Sequence, residues 1–336
     1  MTGAPRPRLA LYWASACGGC QASFLDLGED LLGLAHRFEI VLFPLLTDGK
    51  EADLEGIAEG GIDLCLISGA IRNAHDREMA SRLRRASRIL VALGACAHLG
   101  SVLGLADTSG LPGLLGTVFG SPDRAPRGWT TPAGNHLELP PMERAAAPLE
   151  AVVPVDFVIP GCPPERTTLS NAMEELAAVA CGARPGASGH AVVLGAAEVA
   201  LCEECPREPP TAHVTRFRRV HEVVPDPHRC LLDQGLICLG PATRGGCGAV
   251  CLDAGAGCRG CYGPLPGVTD QGSRMLGALV ALASPTSFEE GAAAREARAL
   301  AESVPDPVGT LYRYSFARSL LGRLVQPAGE EPPCDG

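Results

Sequence analysis

Between Cys202 and Cys261 the chain places eight cysteines in sixty residues, threaded with glycine and proline and lacking sustained periodicity. Such a stretch is not expected to build a hydrophobic core of its own, and metal binding is one alternative source of order. The N-terminal MTGAPRPRLALYWAS runs almost directly into an apolar strand, without the basic segment, long apolar core and cleavage site of an export signal. The expected compartment is therefore the reducing cytoplasm, where disulfides are disfavoured. Clustered thiols in that setting serve metal binding or redox chemistry, because thiolate is both a soft ligand and a nucleophile.

A chain of 336 residues predicts about two domains. Short apolar runs rich in branched residues, LALYWAS (9–15), EIVLFPLL (39–46), IDLCLIS (62–68), RILVALGA (88–95) and VDFVIPG (155–161), read as parallel strands buried on both faces. Helix-like stretches near 20–33, 50–60, 72–87 and 164–181 alternate with them. Strand and helix in alternation predict an α/β fold, a flavodoxin-like doubly wound parallel sheet over residues 1–185. An irregular iron–sulfur cluster-binding domain is expected over 186–285, and a C-terminal helix (near 287–303) with a disordered tail over 286–336. The segment from Gly104 to Pro154 reads as a long excursion of the functional or partner-contacting kind, and residues 191–200 as a strand or short helix. Glycine or charge breaks the longest apolar runs, so no membrane span is expected. A formal charge of −10 repels phosphate backbones and excludes nucleic acid as an expected partner.

Four further cysteines fall just past predicted strand ends. Cys17 and Cys20 follow the first strand in SACGGC, Cys96 follows the fourth in LGACAHLG, and Cys162 follows the fifth in IPGCPPE. In an open parallel sheet the carboxyl ends share one edge, where ligands bind, so residues far apart in the chain converge there. Four thiolates suit zinc or a cubane iron–sulfur cluster. Gly18, Gly19, Gly94 and Gly161 beside them let peptide N–H groups approach an anionic cluster. A thioredoxin-like Cys-x-x-Cys accounts for Cys17 and Cys20 but leaves Cys96 and Cys162 unexplained. Cys65 within a strand, Cys181 near a helix end and Cys334 in the tail read as structural or incidental.

The remaining eight thiols divide sequentially into Cys202, Cys205, Cys230, Cys238 and then Cys247, Cys251, Cys258, Cys261, the split that minimises loop closure. An interleaved split stays open. Zinc ribbons also use Cys-x-x-Cys pairs, but three all-cysteine sites in one chain make more sense as an electron relay, since zinc has no redox chemistry. Gly255-x-Gly257-x-x-Gly260 lacks the strand that a dinucleotide fingerprint follows, and Gly49-Lys50 lacks the rest of a P-loop. His98 reads as a core or surface histidine rather than a tuner of the nearby sulfurs, and His221 and His228 as non-ligands. Arg244 and Arg259 flank cysteines and either offset cluster charge or are simply solvated. Glu165 suits the start of a helix.

At these residues the sequence resembles the small, electron-transferring subunit of [NiFe] hydrogenases, over nearly its whole length. SACGGC, GAC and PGCPP match the proximal-cluster motifs of that family, and the resemblance implies that Cys17, Cys20, Cys96 and Cys162 hold a [4Fe-4S] cluster facing a large subunit. HEVVPDPHRC, GLICLGPATRGGCGAVC, GCRGCYGP and DPVGTLYRYSFARSLL are similar to the cytoplasmic methyl-viologen-reducing hydrogenase and sulfhydrogenase branch. Cys202 stands where exported members often have histidine, and Cys251 adds a fourth medial ligand, so three [4Fe-4S] clusters are implied. Gln21 stands where many relatives carry an acid. A [NiFe] large subunit is the implied partner, with a further electron-accepting subunit of flavin NAD(P) reductase or heterodisulfide reductase type. The 20 kDa subunit of complex I shares the first half only. A zinc-stabilised module and a complex I-like quinone module are the competing expectations.

Overall fold

The computed structural model describes residues 6–182, 191–211, 214–282 and 292–325. Six strands, β1 Arg8–Trp13, β2 Glu39–Leu42, β3 Ile62–Ser68, β4 Ser87–Leu93, β5 Phe157–Ile159 and β6 Val192–Val193, form one sheet in the order β6-β5-β4-β3-β1-β2. Every neighbouring pair is parallel. This is the doubly wound order, with its reversal between β1 and β3. The helices used below are α1 Glu29–Arg37, α2 Ala74–Ala86, α3 Gly94–Leu99, α4 Gly110–Phe119, α5 Arg166–Ala180 and α6 Gln271–Leu282.

Alternation along the strands divides the core between two faces. Leu9 and Leu11 of β1 lie with Leu64, Leu66, Val91 and Leu93 against Leu169, Met173 and Leu176 of α5. Ala10 and Tyr12 lie on the opposite side with Cys65, Ile67 and Leu90, against Met79 and Leu83 of α2. Cys65 is thus a core residue, as its position within a strand suggests.

Several elements depart from the sequence expectation. The second strand stops at Leu42, because Pro44 lacks a ladder donor and the chain turns, Thr47 N–H donating to the Phe43 carbonyl at 2.8 Å. The helix expected over 50–60 shrinks to a 3-10 turn at Glu51–Leu54, in a stretch diluted by Gly56, Gly60 and Gly61. The excursion after Gly104 is more regular than its composition suggests. A 3-10 coil, Ser101–Ser109, runs into α4 at Gly110, and a hairpin and the strand Met142–Ala147 follow, the latter antiparallel to Ile71–Asn73. Residues 101–119 are long and apolar enough to cross a membrane by length and composition, yet Asp107 within them is clamped to Arg72 at 3.0 Å and to the Ala146 N–H at 2.9 Å. The C-terminal helix is described over Ala292–Glu302. The divisions placed at 185/186 and 285/286, the start of the 287–303 helix, and the tail with Cys334 lie outside the described residues.

The cysteine-rich segment does build an apolar core, contrary to the expectation from its periodicity. Phe217, Leu231, Leu232, Leu236, Leu239 and Leu252 are buried together with Met275 and Leu279 of α6 and Leu300 and Leu311 beyond it. Scattered apolar residues acquire a common interior because helices far along the chain close over them, which a local period cannot report.

Candidate metal centres

The first sulfur set sits where the sheet predicts. Cys17 and Cys20 occupy the loop and short helical turn after β1, Cys96 lies in α3 directly after β4, and Cys162 follows β5. Burial pushes the Cys20 thiol up, and the fields of Cys96, Cys162 and Cys17 push it further, which places the four sulfurs in one electrostatic neighbourhood. The loops are fastened by backbone, Ala95 N–H donating to the Gly161 carbonyl at 2.7 Å. Gly94 holds φ +80, and a Cβ there would run into the Cys20 sulfur, so only glycine leaves the sulfur its place.

Of the other eight thiols, Cys202, Cys205, Cys230 and Cys238 share one neighbourhood and Cys247, Cys251 and Cys261 another, while Cys258 feels both Cys238 and Cys261. Cys202 is raised to about 12 by burial, then by Cys238, Cys230 and Cys205. Cys261 is raised to about 12 by burial, then by Cys247, Cys251 and Cys162. The Cys162 field on Cys261 links the first set to the one containing Cys247. Cys258 N–H donates to the Cys238 sulfur at 3.3 Å, linking that set to the one containing Cys202. Each neighbourhood thus touches the next through one pair of cysteines, Cys162 with Cys261 and Cys258 with Cys238.

Donors converge on the sulfurs. The Tyr314 hydroxyl serves Cys162, the Gly260 amide serves Cys258, and backbone amides of Gly240 and Ala249 serve Cys238 and Cys247. Ser101, fully buried with φ 50, lies beside Cys96 and has no partner of good hydrogen-bond geometry. Neither Ser101 nor Tyr314 was singled out from the sequence; Tyr314 at least belongs to the DPVGTLYRYSFARSLL motif.

Gln234 is a further residue that the sequence reading missed. Its amide oxygen accepts from Asp226 N–H at 2.7 Å, and its nitrogen donates to the Asp226, Arg229 and Cys230 carbonyls, fixing the loop that presents Cys230.

The arrangement fits a cluster-sized guest better than a single ion. All the described cysteines are free thiols. Among the described residues no three His, Cys, Asp or Glu side chains close in on one metal position. Tetrahedral zinc needs its sulfurs about 2.3 Å from one point, whereas a cubane takes one cysteine at each of four separate corners. A methyl group at Gly240 would lie 3.2 and 3.6 Å from the Cys202 and Cys238 sulfurs, in space between ligands.

The remaining candidates resolve into structural roles. His98 is buried, its Nδ1 is 3.3 Å from Arg318 Nη1, and burial with the Arg318 and Arg244 charges holds its pKa down to about 3. It is a neutral core histidine. Arg244 donates to the Pro264 carbonyl at 2.7 Å, and Arg259 is half-buried. Glu165 caps α5, accepting from Thr167 N–H at 2.7 Å and Thr168 N–H at 3.1 Å. Gln21 is buried and donates to Ser68 Oγ at 3.4 Å. Cys181 caps the end of α5 in an exposed position, and His221 and His228 are exposed.

A doubly wound sheet that gathers thiols at its carboxyl edge and continues into a cysteine-rich extension defines a thiol-rich α/β class of protein. Residues 17–176 match the family of the NADH ubiquinone oxidoreductase 20 Kd subunit, a span that begins at Cys17 and takes in Cys20, Cys96 and Cys162. The chain is 36% identical over 319 residues to a vhu subunit of the F420-non-reducing hydrogenase of Methanocaldococcus jannaschii, covering 95% of this chain and 98% of that one. It is 30% identical over 259 residues to sulfhydrogenase 2 subunit delta of Pyrococcus furiosus, covering 76% and 86%. A solved NAD+-reducing [NiFe]-hydrogenase chain shares 31% identity over 54% of this chain and 96% of its own, with a TM-score of 0.43. The chain belongs to the hydrogenase small-subunit family that these relatives share with the 20 kDa subunits. It is a subunit of an oxidoreductase, and a relative from Archaeoglobus profundus, 32% identical over 331 residues, is an F420-non-reducing hydrogenase iron-sulfur subunit.

Proposed function

We propose that the chain is the electron-transferring small subunit of a cytoplasmic [NiFe] hydrogenase, carrying three [4Fe-4S] clusters. The proximal set is Cys17, Cys20, Cys96 and Cys162; the medial set is Cys247, Cys251, Cys258 and Cys261; the distal set is Cys202, Cys205, Cys230 and Cys238. Such clusters, when bound, supply the one-electron steps that connect H2 oxidation on a large subunit to an acceptor. The observation that supports this reading is the succession of sulfur contacts, Cys162 with Cys261 and Cys258 with Cys238, that links the sheet edge to the cysteine-rich extension.

The residues of the chain do three things in this scheme. The sheet edge and its extension hold four sulfurs at each position, with burial and mutual repulsion disfavouring thiolate until iron is present. Tyr314 and the converging amides direct donors at sulfur, which tunes potential. The exposed Cys17 and Cys162, with exposed Trp13, Leu25 and Leu45, mark the face for the large subunit. The distal end serves an electron-accepting subunit of flavin NAD(P) reductase or heterodisulfide reductase type. Residues 1–185 form the proximal domain in this reading, 186–285 the medial and distal domain, and 286–336 the closing helix and tail.

The test is anaerobic purification with the native partners, followed by metal analysis and low-temperature EPR. About twelve irons with matching sulfide per chain are expected. Stoichiometric zinc, or iron at the level of one cluster, would falsify the reading.

A further inference from the structure

Residues 215–229 form a strip with no helix or extended strand that leads directly into Cys230. In a chain of formal charge −10 this strip holds four arginines, Arg216, Arg218, Arg219 and Arg229, against two carboxylates, Glu222 and Asp226. All four arginines are exposed. Among the described residues only Arg216 is seen in a side-chain ion pair, with Glu222 at 3.1 Å. Between the arginines stand Val220, 64% exposed, and Val224, 92% exposed.

The strip is held in place from beneath. Phe217 is buried, its N–H donating to Ser303 Oγ at 2.9 Å, and Arg218 N–H donates to the Gly235 carbonyl at 2.8 Å. Val223 turns inward onto the core that also receives Cys205 and Cys230. A shallow cleft of about 270 Å³ is lined by Arg216, Arg218 and Arg229 of the strip and by Asp233, Gln234 and Gly235, three arginines to one carboxylate. Cys202, in the same sulfur neighbourhood as Cys230, is itself exposed.

An apolar centre ringed by cations on a fixed backbone has the anatomy of a protein docking patch. Guanidinium forks match carboxylates, and a local positive field on an acidic molecule steers an acidic partner to this one place. We propose that the strip docks an acidic-surfaced electron-carrier protein, its carboxylates on Arg218, Arg219 and Arg229 and an apolar contact on Val220 and Val224. The carrier is thereby set against the loop of Cys230. What the docking is for rests on the relay reading above; the docking itself rests on charge and shape.

The complex of the full chain with its large subunit, freed of the electron-accepting subunit proposed for the same end, is titrated with an acidic plant-type [2Fe–2S] ferredoxin as the probe, by calorimetry at low and high salt. Kd should rise about tenfold or more between about 20 and 300 mM salt, as screening predicts. The R218E/R219E variant should bind about tenfold more weakly at low salt. V224D, which alters no arginine, should also weaken binding. Circular dichroism and H2-dependent reduction of methyl viologen, a small cation, should match the parent complex. Absence of binding by the parent complex, equal binding by both variants, or affinity indifferent to salt overturns the proposal. A failure of the relay reading shows separately, as a complex without iron that still binds ferredoxin in a salt-dependent way.

Discussion

At the scale of single residues the sulfur sites are tight enough that one carbon matters. Gly94 combines φ +80 with a Cβ direction that meets the Cys20 sulfur, so Gly94→Ala is expected to lose about four irons per chain while leaving the medial and distal sets loaded. Iron analysis with EPR checks which signals vanish. Tyr314→Phe removes a hydroxyl donor from Cys162 without changing ring volume. One net hydrogen bond of about 1 kcal/mol corresponds to roughly 40 mV for a one-electron centre, so the proximal potential should fall by that order in a redox titration followed by EPR. The twelve proposed ligands were legible from cysteine spacing and strand ends. Tyr314, Ser101 and Gln234 were not, because a hydroxyl or amide carries no spacing signature and finds its place only when distant segments meet. His98, read as a core or surface histidine despite its closeness to Cys96 in sequence, is buried with its ring toward Arg318.

At the scale of elements, the parallel strands and the long helices α2 and α5 announce themselves, because alternation and the 3.6 period survive without context. β3 falls on the expected Ile62–Ser68 and α5 within the expected span. What failed was local order set from outside. The 3-10 coil Ser101–Ser109 persists where composition suggests none, since buried Asp107 ties it to Arg72 and to the strand at Ala146. Asp107→Ala leaves Arg72 as a buried unpaired cation and should cost about 3–5 kcal/mol in denaturant unfolding. Replacing both partners by apolar residues should recover most of that loss. Glu165→Ala removes the cap of α5 and should cost about 1 kcal/mol, with Glu165→Asp or Ser recovering part of it.

At the scale of the whole molecule, the sheet and the cysteine-rich half draw order from different sources. The sheet has two full apolar faces, whereas the extension shares its one apolar interior with Cys205, Cys230, Cys238, Cys247 and Cys258. Chelation of iron under anaerobic conditions should therefore loosen residues 191–282 first, read as rising amide exchange there while α2 and α5 stay protected. Uniform exchange across the chain would contradict this division. The alternation of strands fixed the first half in advance, but the closure of the second half by helices beyond Asp270 has no counterpart in local sequence.

The last well-described stretch has a consequence for biogenesis. Ala317 fits against Gly100 and Gly104, where any Cβ would crowd it, and Tyr314 reaches Cys162. These contacts are thus made by residues translated after all twelve proposed ligands. A nascent polypeptide that has emerged only through Cys261 still lacks them, which gives maturation factors a window to deliver inorganic cargo before Tyr314 reaches its sulfur.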